Sequence, residues 1–158
     1  MCSQLYLGCS GWNYGDASEK GGWLNVFYPD SKTRKLSSYS QFFNTFEMDA
    51  TFYKRFDHHM NAGLFIGLTK ATPNNFKIWV KVPEIITHEK RLDINENLIT
   101  AFNEFLNKIS RLESSRELGA IIIQLLASFT ISESNRLEIF LDTLRKQYDI
   151  KNKNKILP

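Results

Sequence analysis

Cysteine is scarce in this sequence, and so are the signals of an exported or membrane-bound protein. Only Cys2 and Cys9 occur among 158 residues. They lie seven residues apart with no His or Cys at metal-ligand spacing, so they form no disulfide framework. No apolar run approaches the roughly 18 residues of a membrane helix, and no signal peptide opens the chain. We therefore expect a cytoplasmic protein that makes no membrane contact.

A strong charge of either sign is also missing. Lys and Arg number 20 against 17 for Asp and Glu, and the sequence pI is about 8.8. This mild basicity permits an anionic partner without requiring one. No predicted strand is followed by the glycine-rich motif of a dinucleotide-binding fold or a P-loop, which leaves those two functions without support.

The hydrophobic pattern predicts four strands that alternate with helices. The chain is 42% hydrophobic, enough for one domain, which we place at residues 1–150 with a basic tail at 151–158. Four such units indicate an α/β fold with parallel strands and right-handed crossovers. The pattern fits both an open sheet and half of an eight-unit barrel. The predicted strands are Gln4 to Cys9, a run within Phe42 to Tyr53, Phe76 to Val82 and Leu118 to Leu126; the predicted helices are Lys35 to Phe43, Asp57 to Ala71, Glu96 to Leu112, and one from Ser132 or Ser134 to about Tyr148.

Two carboxylates, Glu47 and Asp49, mark the second predicted strand. Because successive strand side chains alternate between faces, this strand has an acidic face and an apolar one. The acidic face comprises Thr45, Glu47, Asp49 and Thr51, and the apolar face Phe46, Met48 and Ala50.

Six motifs in order resemble those of the YecE-like family, the domain of unknown function numbered seventy-two. They are LGCSGWNY (7–14), FYP (27–29), FNTFEMDATFY (43–53), TPNNFKIWVKVP (72–83), ITHEKRL (86–92) and LGAIIIQLLASF (118–129). The resemblance implies a TIM-like (β/α) barrel with its motifs at the carboxyl ends of the strands, and no established activity. Members usually carry asparagine at the position of Asp49 and two prolines at Leu126-Ala127. They also run on for roughly another hundred residues toward a full barrel, so we expect a truncated, partial barrel of about four βα units.

A partial barrel exposes two sheet edges. The run Gly119 to Leu126 is long, apolar and uncharged, and such an edge promotes association. We therefore expect a homo-oligomer, pairing with a separately encoded second half-barrel, or aggregation.

Strand alternation also predicts which side chains point into the barrel. On the helix side we expect Leu5, Leu7, Cys9, Ile78, Val80, Val82, Ile121, Ile123 and Leu125; on the inner side we expect Tyr6, Gly8, Ser10, Trp79, Lys81, Ala120, Ile122 and Gln124. The inner polar residues lie near the carboxyl ends of their strands, where barrel active sites are built.

Glu47, Lys81 and His88 are the candidate catalytic residues. Close carboxylates raise one pKa and an adjacent ammonium lowers it, which can separate acid and base roles. Glu47 would transfer a proton while Lys81 stabilises charge. The alternative is a satisfied polar layer or ion pair with no catalytic role. His88 with Glu47 and Asp49 is the nearest approach to a metal-ligand set, and we predict no metal site.

The candidate substrate-binding residues surround this group. Lys90 and Arg91 follow the third strand, where they could capture phosphate or carboxylate, and Trp12 and Tyr14 could stack on a ring or fill the barrel mouth. The full set is Asp49, Trp12, Tyr14, Tyr53, Lys90, Arg91 and Gln124.

Three functions are compatible with this pattern. The first is an enzyme, or the remnant of one, acting on an anionic or phosphate-bearing small molecule. The second is a nucleic-acid or nucleotide binder with Lys81, Lys90 and Arg91 beside an aromatic platform. The third is a non-catalytic fragment that needs a second half-barrel. No cofactor can be assigned.

Overall fold

The structure, a computed structural model, describes residues 5–14 and 22–153 and, within that part, all side chains except those of Glu96 and 147–153. Three parallel strands form one sheet in the order β1-β2-β3. Mixed α/β architecture with a parallel sheet confirms the predicted fold class, a partial β/α barrel-like fold. The strands are β1 Thr45–Met48, β2 Lys77–Lys81 and β3 Leu118–Ile122, and the helices are α1 Lys35–Tyr39, α2 Ala62–Ala71, α3 Glu96–Ser114 and α4 Ser134–Lys153.

The first predicted strand is an extended stretch, residues 5–11, which we call the edge segment. It runs parallel to β1, with hydrogen bonds from the Glu47 amide to the Cys9 carbonyl (3.0 Å) and from the Gly11 amide to the Glu47 carbonyl (2.8 Å). Nearer the start of the segment, the Tyr39 hydroxyl bridges the two backbones. It accepts a hydrogen bond from the Cys9 amide (2.7 Å) and donates one to the Thr45 carbonyl (3.0 Å). The prediction of a regular strand is wrong here because a side chain replaces one rung of the ladder.

Two helices begin or end elsewhere than predicted. The helix expected from Asp57 begins only at Ala62, because Asn61 is its cap and accepts a hydrogen bond from the Leu64 amide (3.1 Å). Residues Lys54–His59 form a separate 3₁₀ helix. The helix predicted over Lys35 to Phe43 ends at Tyr39.

The third and fourth predicted helices are confirmed. Helix α3 begins after Asn95, whose side chain accepts from the Leu98 amide (2.9 Å). A short 3₁₀ turn with a capping box at Thr130 and Glu133 leads into α4 at Ser134. Helix α4 extends to Lys153, and residues 154–158 of the predicted tail lie outside the described residues. Strand β3 ends at Ile122, four residues before the predicted end.

The core lies between the sheet and the helices. Ile78 and Val80 of β2, and Val82 directly after it, are fully buried on this side, as the alternation predicts. The stripe of α3 packs against them and comprises Leu98, Phe102, Phe105, Ile109 and Leu112. Ile121 of β3, and Ile123 and Leu125 just after it, are partly buried against the same core.

The edge segment lacks this cover. Cys9 packs against the core, but Leu5 and Leu7 keep 80% and 60% of their surface exposed. The expectation that a helix covers these two leucines is wrong. They follow the alternation set by Cys9, yet no helix within the described residues lies over them.

Candidate functional site

A carboxylate–lysine cluster lies at the carboxyl ends of β1 and β2. The Lys81 ammonium is 2.6 Å from a carboxylate oxygen of Glu47 and 2.6 Å from Asp49 Oδ1. The Asp49 Oδ2 atom accepts a 2.6 Å hydrogen bond from the Ser10 hydroxyl. All four side chains are partly open to solvent. Three neighbouring chain segments therefore contribute side chains to one cluster.

The strand register explains this convergence. Glu47 is paired with Trp79 in the parallel ladder, and Lys81 follows Trp79 by two residues, so both side chains point to the same face. Asp49 lies beyond the end of β1, in the first turn of the 3₁₀ helix Asp49–Thr51.

Thr51 fixes the backbone of Lys81 beside this turn. Its buried hydroxyl oxygen lies 2.9 Å from both the amide and the carbonyl of Lys81 and accepts from the amide; the Met48 carbonyl is also 2.9 Å away. The carboxyl ends of β1 and β2 are thus tied together directly behind the cluster.

Asp49 and Lys81 are both charged near neutral pH. Burial pushes the pKa of Asp49 upward, but hydrogen bonds from Lys81 and Ser10 and the charge of Lys81 outweigh it, and the pKa is lowered. Burial alone would lower the pKa of Lys81, yet its bonds to Asp49 and Glu47 raise it. Asp49 is therefore a carboxylate and Lys81 an ammonium, neither of which exchanges a proton readily at pH 7.

The two aromatic candidates have different surroundings. The Tyr14 ring packs at a tilt against Trp23, with ring centroids 4.7 Å apart, and Tyr14 keeps 37% of its surface exposed. Partial burial and the nearby charge of Asp49 raise the pKa of its phenol, so the hydroxyl remains a donor beside the cluster. Trp12 lies 4.3 Å from Phe46 and packs against the core. Trp12 therefore offers little free ring surface for a ligand.

His88 does not join the cluster. The π-helical turn Ile85–Glu89 carries it, and its Nδ1 atom lies 2.9 Å from the Thr87 hydroxyl. Its ring packs edge-on against Phe52 at 4.9 Å. Among the described residues, no hydrogen bond or ion pair joins His88 to Glu47, Asp49 or Lys81. Phe52, against which the His88 ring packs, directly follows Thr51 in the sequence.

The remaining candidate substrate-binding residues make no ion pair or hydrogen bond with the cluster among the described residues. Tyr53 is 40% exposed and packs against Phe52 (5.1 Å) under the Arg55 guanidinium. Gln124 is exposed beyond the end of β3. The Lys90 side chain is half-buried and forms no ion pair with any described residue.

Arg91 is committed to another partner. Its guanidinium forms a two-point pair with the Glu133 carboxylate and hydrogen-bonds the Ser128 carbonyl (3.0 Å) and hydroxyl (3.1 Å). Arg91 thereby links the loop after β2 to the loop after β3. These bonds engage all three guanidinium nitrogens with Glu133 and Ser128, so Arg91 presents no free pair of donors to a ligand.

A separate cavity of about 150 Å³ lies between the turn after β1 and helix α3. Its walls include Tyr53 and the apolar side chains of Met60, Phe65 and Phe105, and the ion pair of Asp57 with Lys108 crosses its rim at 2.5 Å. Lys81 and Glu47 do not line it. It is therefore distinct from the cluster.

The described ranges contain neither a metal-binding cluster nor a membrane-spanning helix. No group of three or more His, Cys, Asp or Glu side chains could hold a metal ion among residues 5–14 and 22–153. None of the helices in that part of the chain combines the length and hydrophobicity that a membrane span requires.

Sequence reasoning left two residues out of the candidate site. Ser10 lies at the carboxyl end of the edge segment and was expected on the inner side, and Thr51 was expected on the acidic face. The predicted orientation of these two side chains was the sequence signal that could have identified them as site residues. Their partners, Asp49 and the Lys81 backbone, became clear only from the structure.

The comparisons with known proteins agree with this architecture. The family model described as "Protein of unknown function DUF72" matches residues 6–151. A solved DUF72 family protein from Enterococcus faecalis V583 is 26% identical, with a TM-score of 0.50, and the match covers 65% of this chain and 41% of that one. The chain thus spans less than half of that relative's length. No curated protein matches significantly. This chain belongs to the DUF72 family.

Proposed function

We propose that the chain carries an acid–base site for a small, oxygen-rich anionic molecule at the carboxyl ends of β1 and β2. The observation that carries this proposal is the Lys81 ammonium held 2.6 Å from both Glu47 and Asp49. Open strand ends are where barrel folds place their chemistry. The cluster is partly exposed, so a ligand from solvent can reach it.

Lys81 has one donor left for a ligand. A lysine ammonium carries three N–H donors, and only two carboxylate oxygens lie within ion-pair distance of this one among the described residues, both at 2.6 Å. The third N–H can donate a charge-assisted hydrogen bond to a substrate oxygen such as a hydroxyl, a carbonyl or an enolate. Since the carboxylates and Thr51 restrain this side chain and its backbone, little reorganisation is needed on binding.

Glu47 is the residue that transfers the proton. Asp49 stays ionised because its pKa is lowered, and Lys81 stays protonated because its pKa is raised. Asp49 therefore orients Lys81, and Lys81 stabilises negative charge that develops on the substrate. Glu47, with 26% of its side chain exposed, is the carboxylate left to act as acid or base.

The anionic part of the substrate binds away from Lys81. Two carboxylates and one ammonium leave the cluster with a net negative charge, which repels a phosphate placed directly on it. Lys90 follows the same strand, has no ion-pair partner among the described residues, and lies two residues from His88. Lys90 and His88 are the groups that receive a phosphate or carboxylate.

Binding and turnover can be tested separately. We would titrate ¹⁵N-labelled chain with inorganic phosphate, citrate and a set of sugar phosphates, and follow the amides of Glu47, Lys81 and Lys90. A bound sugar phosphate should shift all three amides, and Lys81→Met should weaken binding at least about tenfold. Lys77→Met, at the opposite end of the same strand, is the matched control and should leave binding unchanged.

Glu47→Gln distinguishes catalysis from binding. Each ligand that binds would be incubated with the wild type and followed by ³¹P and proton NMR for conversion. We expect Glu47→Gln to keep binding and to lose conversion, because the amide cannot transfer the proton. Binding that survives in Lys81→Met, or conversion that survives in Glu47→Gln, would contradict the assignment.

A further inference from the structure

We propose that the cavity between the turn after β1 and helix α3, here called the side cavity, binds a small amine that carries a benzene-sized apolar group. The apolar group fills the floor of the cavity, and the ammonium lies at the rim with the carboxylates of Glu84 and Glu104. Glu47 and Lys81 do not line the side cavity, so this binding site is independent of the proposed acid–base site.

The floor of the side cavity is apolar. Met60, Phe65, Phe105 and Ile109 line it, and none of them keeps more than 8% of its surface exposed. Every lining residue falls between positions 51 and 109, so one continuous piece of the chain builds the whole cavity. Its volume is about 150 Å³, and an apolar cavity of that size accommodates benzene. The floor therefore favours a benzene-sized apolar group.

Helix α3 adds a free carboxylate to the rim. Glu104 and Lys108 line the cavity on either side of Phe105 in the sequence. Their spacing of four residues would allow them to pair with each other. The Lys108 ammonium instead lies 2.5 Å from Asp57 Oδ1. Glu104 is therefore exposed and forms no ion pair with any described residue.

Glu84, at the start of the loop after β2, brings a second carboxylate to the rim. Its Oε1 atom accepts a hydrogen bond from the Lys54 amide (2.8 Å), and its own amide donates to the Phe52 carbonyl (2.9 Å). These two bonds fix Glu84 against the turn after β1. Since no described residue bonds to its Oε2 atom, that oxygen is available to a ligand.

The balance of charge at the rim favours a cation. Three carboxylates and two ammonium groups line the cavity. Asp57 and Lys108 neutralise each other, which leaves Glu84 and Glu104 against the single ammonium of Lys54. This rim attracts a ligand ammonium and repels a carboxylate. A primary ammonium carries three N–H donors, so it can donate charge-assisted hydrogen bonds to both glutamates.

Benzylamine is the probe, and benzyl alcohol and benzoate are its neutral and anionic counterparts. Titrations of the ¹⁵N-labelled chain at about 0.15 M salt, where distant charges are screened, would follow the amides of Glu84 and Phe105. We expect benzylamine to bind with a dissociation constant below about 10 mM. It should bind at least about threefold more tightly than benzyl alcohol, and benzoate should bind most weakly.

Three substitutions test the assignment of floor and rim. The double variant Glu84→Gln with Glu104→Gln keeps the shape of the rim and removes both charges, so its affinity for benzylamine should fall to that for benzyl alcohol. Glu138→Gln, on an exposed position of α4 that does not line the cavity, is the matched control and should bind benzylamine like the wild type. Ala101→Leu fills the cavity from α3 and should abolish binding of both probes.

Circular dichroism confirms that each variant is folded, and the double glutamine variant changes only rim side chains outside the core. A wild type that does not bind benzylamine would overturn the proposal. So would equal affinity for benzylamine and either counterpart, or benzylamine binding that the double variant or Ala101→Leu leaves unchanged.

Discussion

Strand β2 and the edge segment carry the same alternation of apolar and polar side chains with opposite results. Ile78, Val80 and Val82 are fully buried, whereas Leu5 and Leu7 are mostly exposed. Strand β2 has a neighbour on both sides and helices across one face. The edge segment has one neighbour, and within the described residues no helix lies above its first half. The pattern of a strand therefore determines which face a side chain occupies, while the neighbouring elements determine whether that face is buried.

The same difference between the two chain segments predicts which side of the candidate site is the more rigid. Lys81 ends the fully flanked strand, and Thr51 fixes its backbone from the β1 side. Ser10 ends the edge segment and reaches the cluster through one hydrogen bond to Asp49. We expect the Lys81 side of the cluster to be rigid and the Ser10 side to depend on how firmly the edge segment is held.

Truncation of one leucine or isoleucine on each strand tests this contrast most strongly. Ile78→Ala removes a fully buried side chain and should lower the free energy of unfolding by about 2–5 kcal/mol at any protein concentration. Leu7→Ala should cost under about 0.5 kcal/mol in dilute chain, because Leu7 is 60% exposed. Urea titrations at two protein concentrations measure both. Equal costs for Leu7→Ala and Ile78→Ala would contradict the contrast.

Gly8→Ala should detach the edge segment from β1. A Cβ atom at Gly8 would lie 2.0 Å from the Thr45 carbonyl oxygen, so the two backbones must separate, at a cost of about 1–3 kcal/mol. Hydrogen exchange should become faster at the Glu47 and Gly11 amides, which bond across this contact. Gly67→Ala is the matched control, because a Cβ atom there meets nothing within 4 Å on α2, and it should stabilise the chain by about 0.5–1 kcal/mol. Equal effects of the two substitutions would contradict this steric explanation.

Tyr39→Phe removes the hydroxyl that stands in the ladder between the edge segment and β1. The Cys9 amide and the Thr45 carbonyl each lose a partner, and Thr45 is buried, so we expect a loss of about 1–3 kcal/mol. Thermal unfolding of Tyr53→Phe provides the comparison, since the Tyr53 hydroxyl bonds to no described residue. If both variants melt alike, the hydroxyl does not support the ladder.

Much of the fold could be predicted from periodicity, and the exceptions have local causes. The stripe of α3 gave its bounds to within two residues at the C-terminus. The start of α2 was wrong because Asp57 and Asn61 are both good capping residues, and the Asp57 carboxylate instead pairs with Lys108, 51 residues away. The edge segment was read as an ordinary strand because nothing in its own residues indicates that Tyr39 enters the ladder.

The candidate site was predicted in part for the same reason. Alternation placed Glu47 and Lys81 on one face, and a parallel register brought them together. His88 could not be placed this way, because a π-helical turn directs it toward Phe52. The pair of Arg91 with Glu133 joins residues 42 apart in sequence, and no local pattern encodes such a contact.

The smallest expected effect concerns the loss of stability at acid pH, and it compares Asp49, in the turn after β1, with Asp142 on α4. In the folded chain the pKa of Asp49 is lowered below its usual 3.8, because its bonds to Lys81 and Ser10 outweigh the effect of burial. Its stabilising contribution is therefore fully present above pH 3.8 and is lost as the pH falls through the lower folded value. Since 38% of this side chain is exposed, solvent screening limits the contribution to about 0.5–1 kcal/mol. Asp49→Asn should thus be less stable than the wild type by that amount at pH 6, and the difference should shrink as the pH falls below 3.8 and vanish once the pH has passed the lowered pKa of folded Asp49. Asp142→Asn, at an exposed position of α4 without an ion pair to any described residue, should match the wild type in urea titrations across this range. A constant gap between Asp49→Asn and the wild type from pH 6 to pH 3 would mean that Asp49 does not stabilise the fold through its charge.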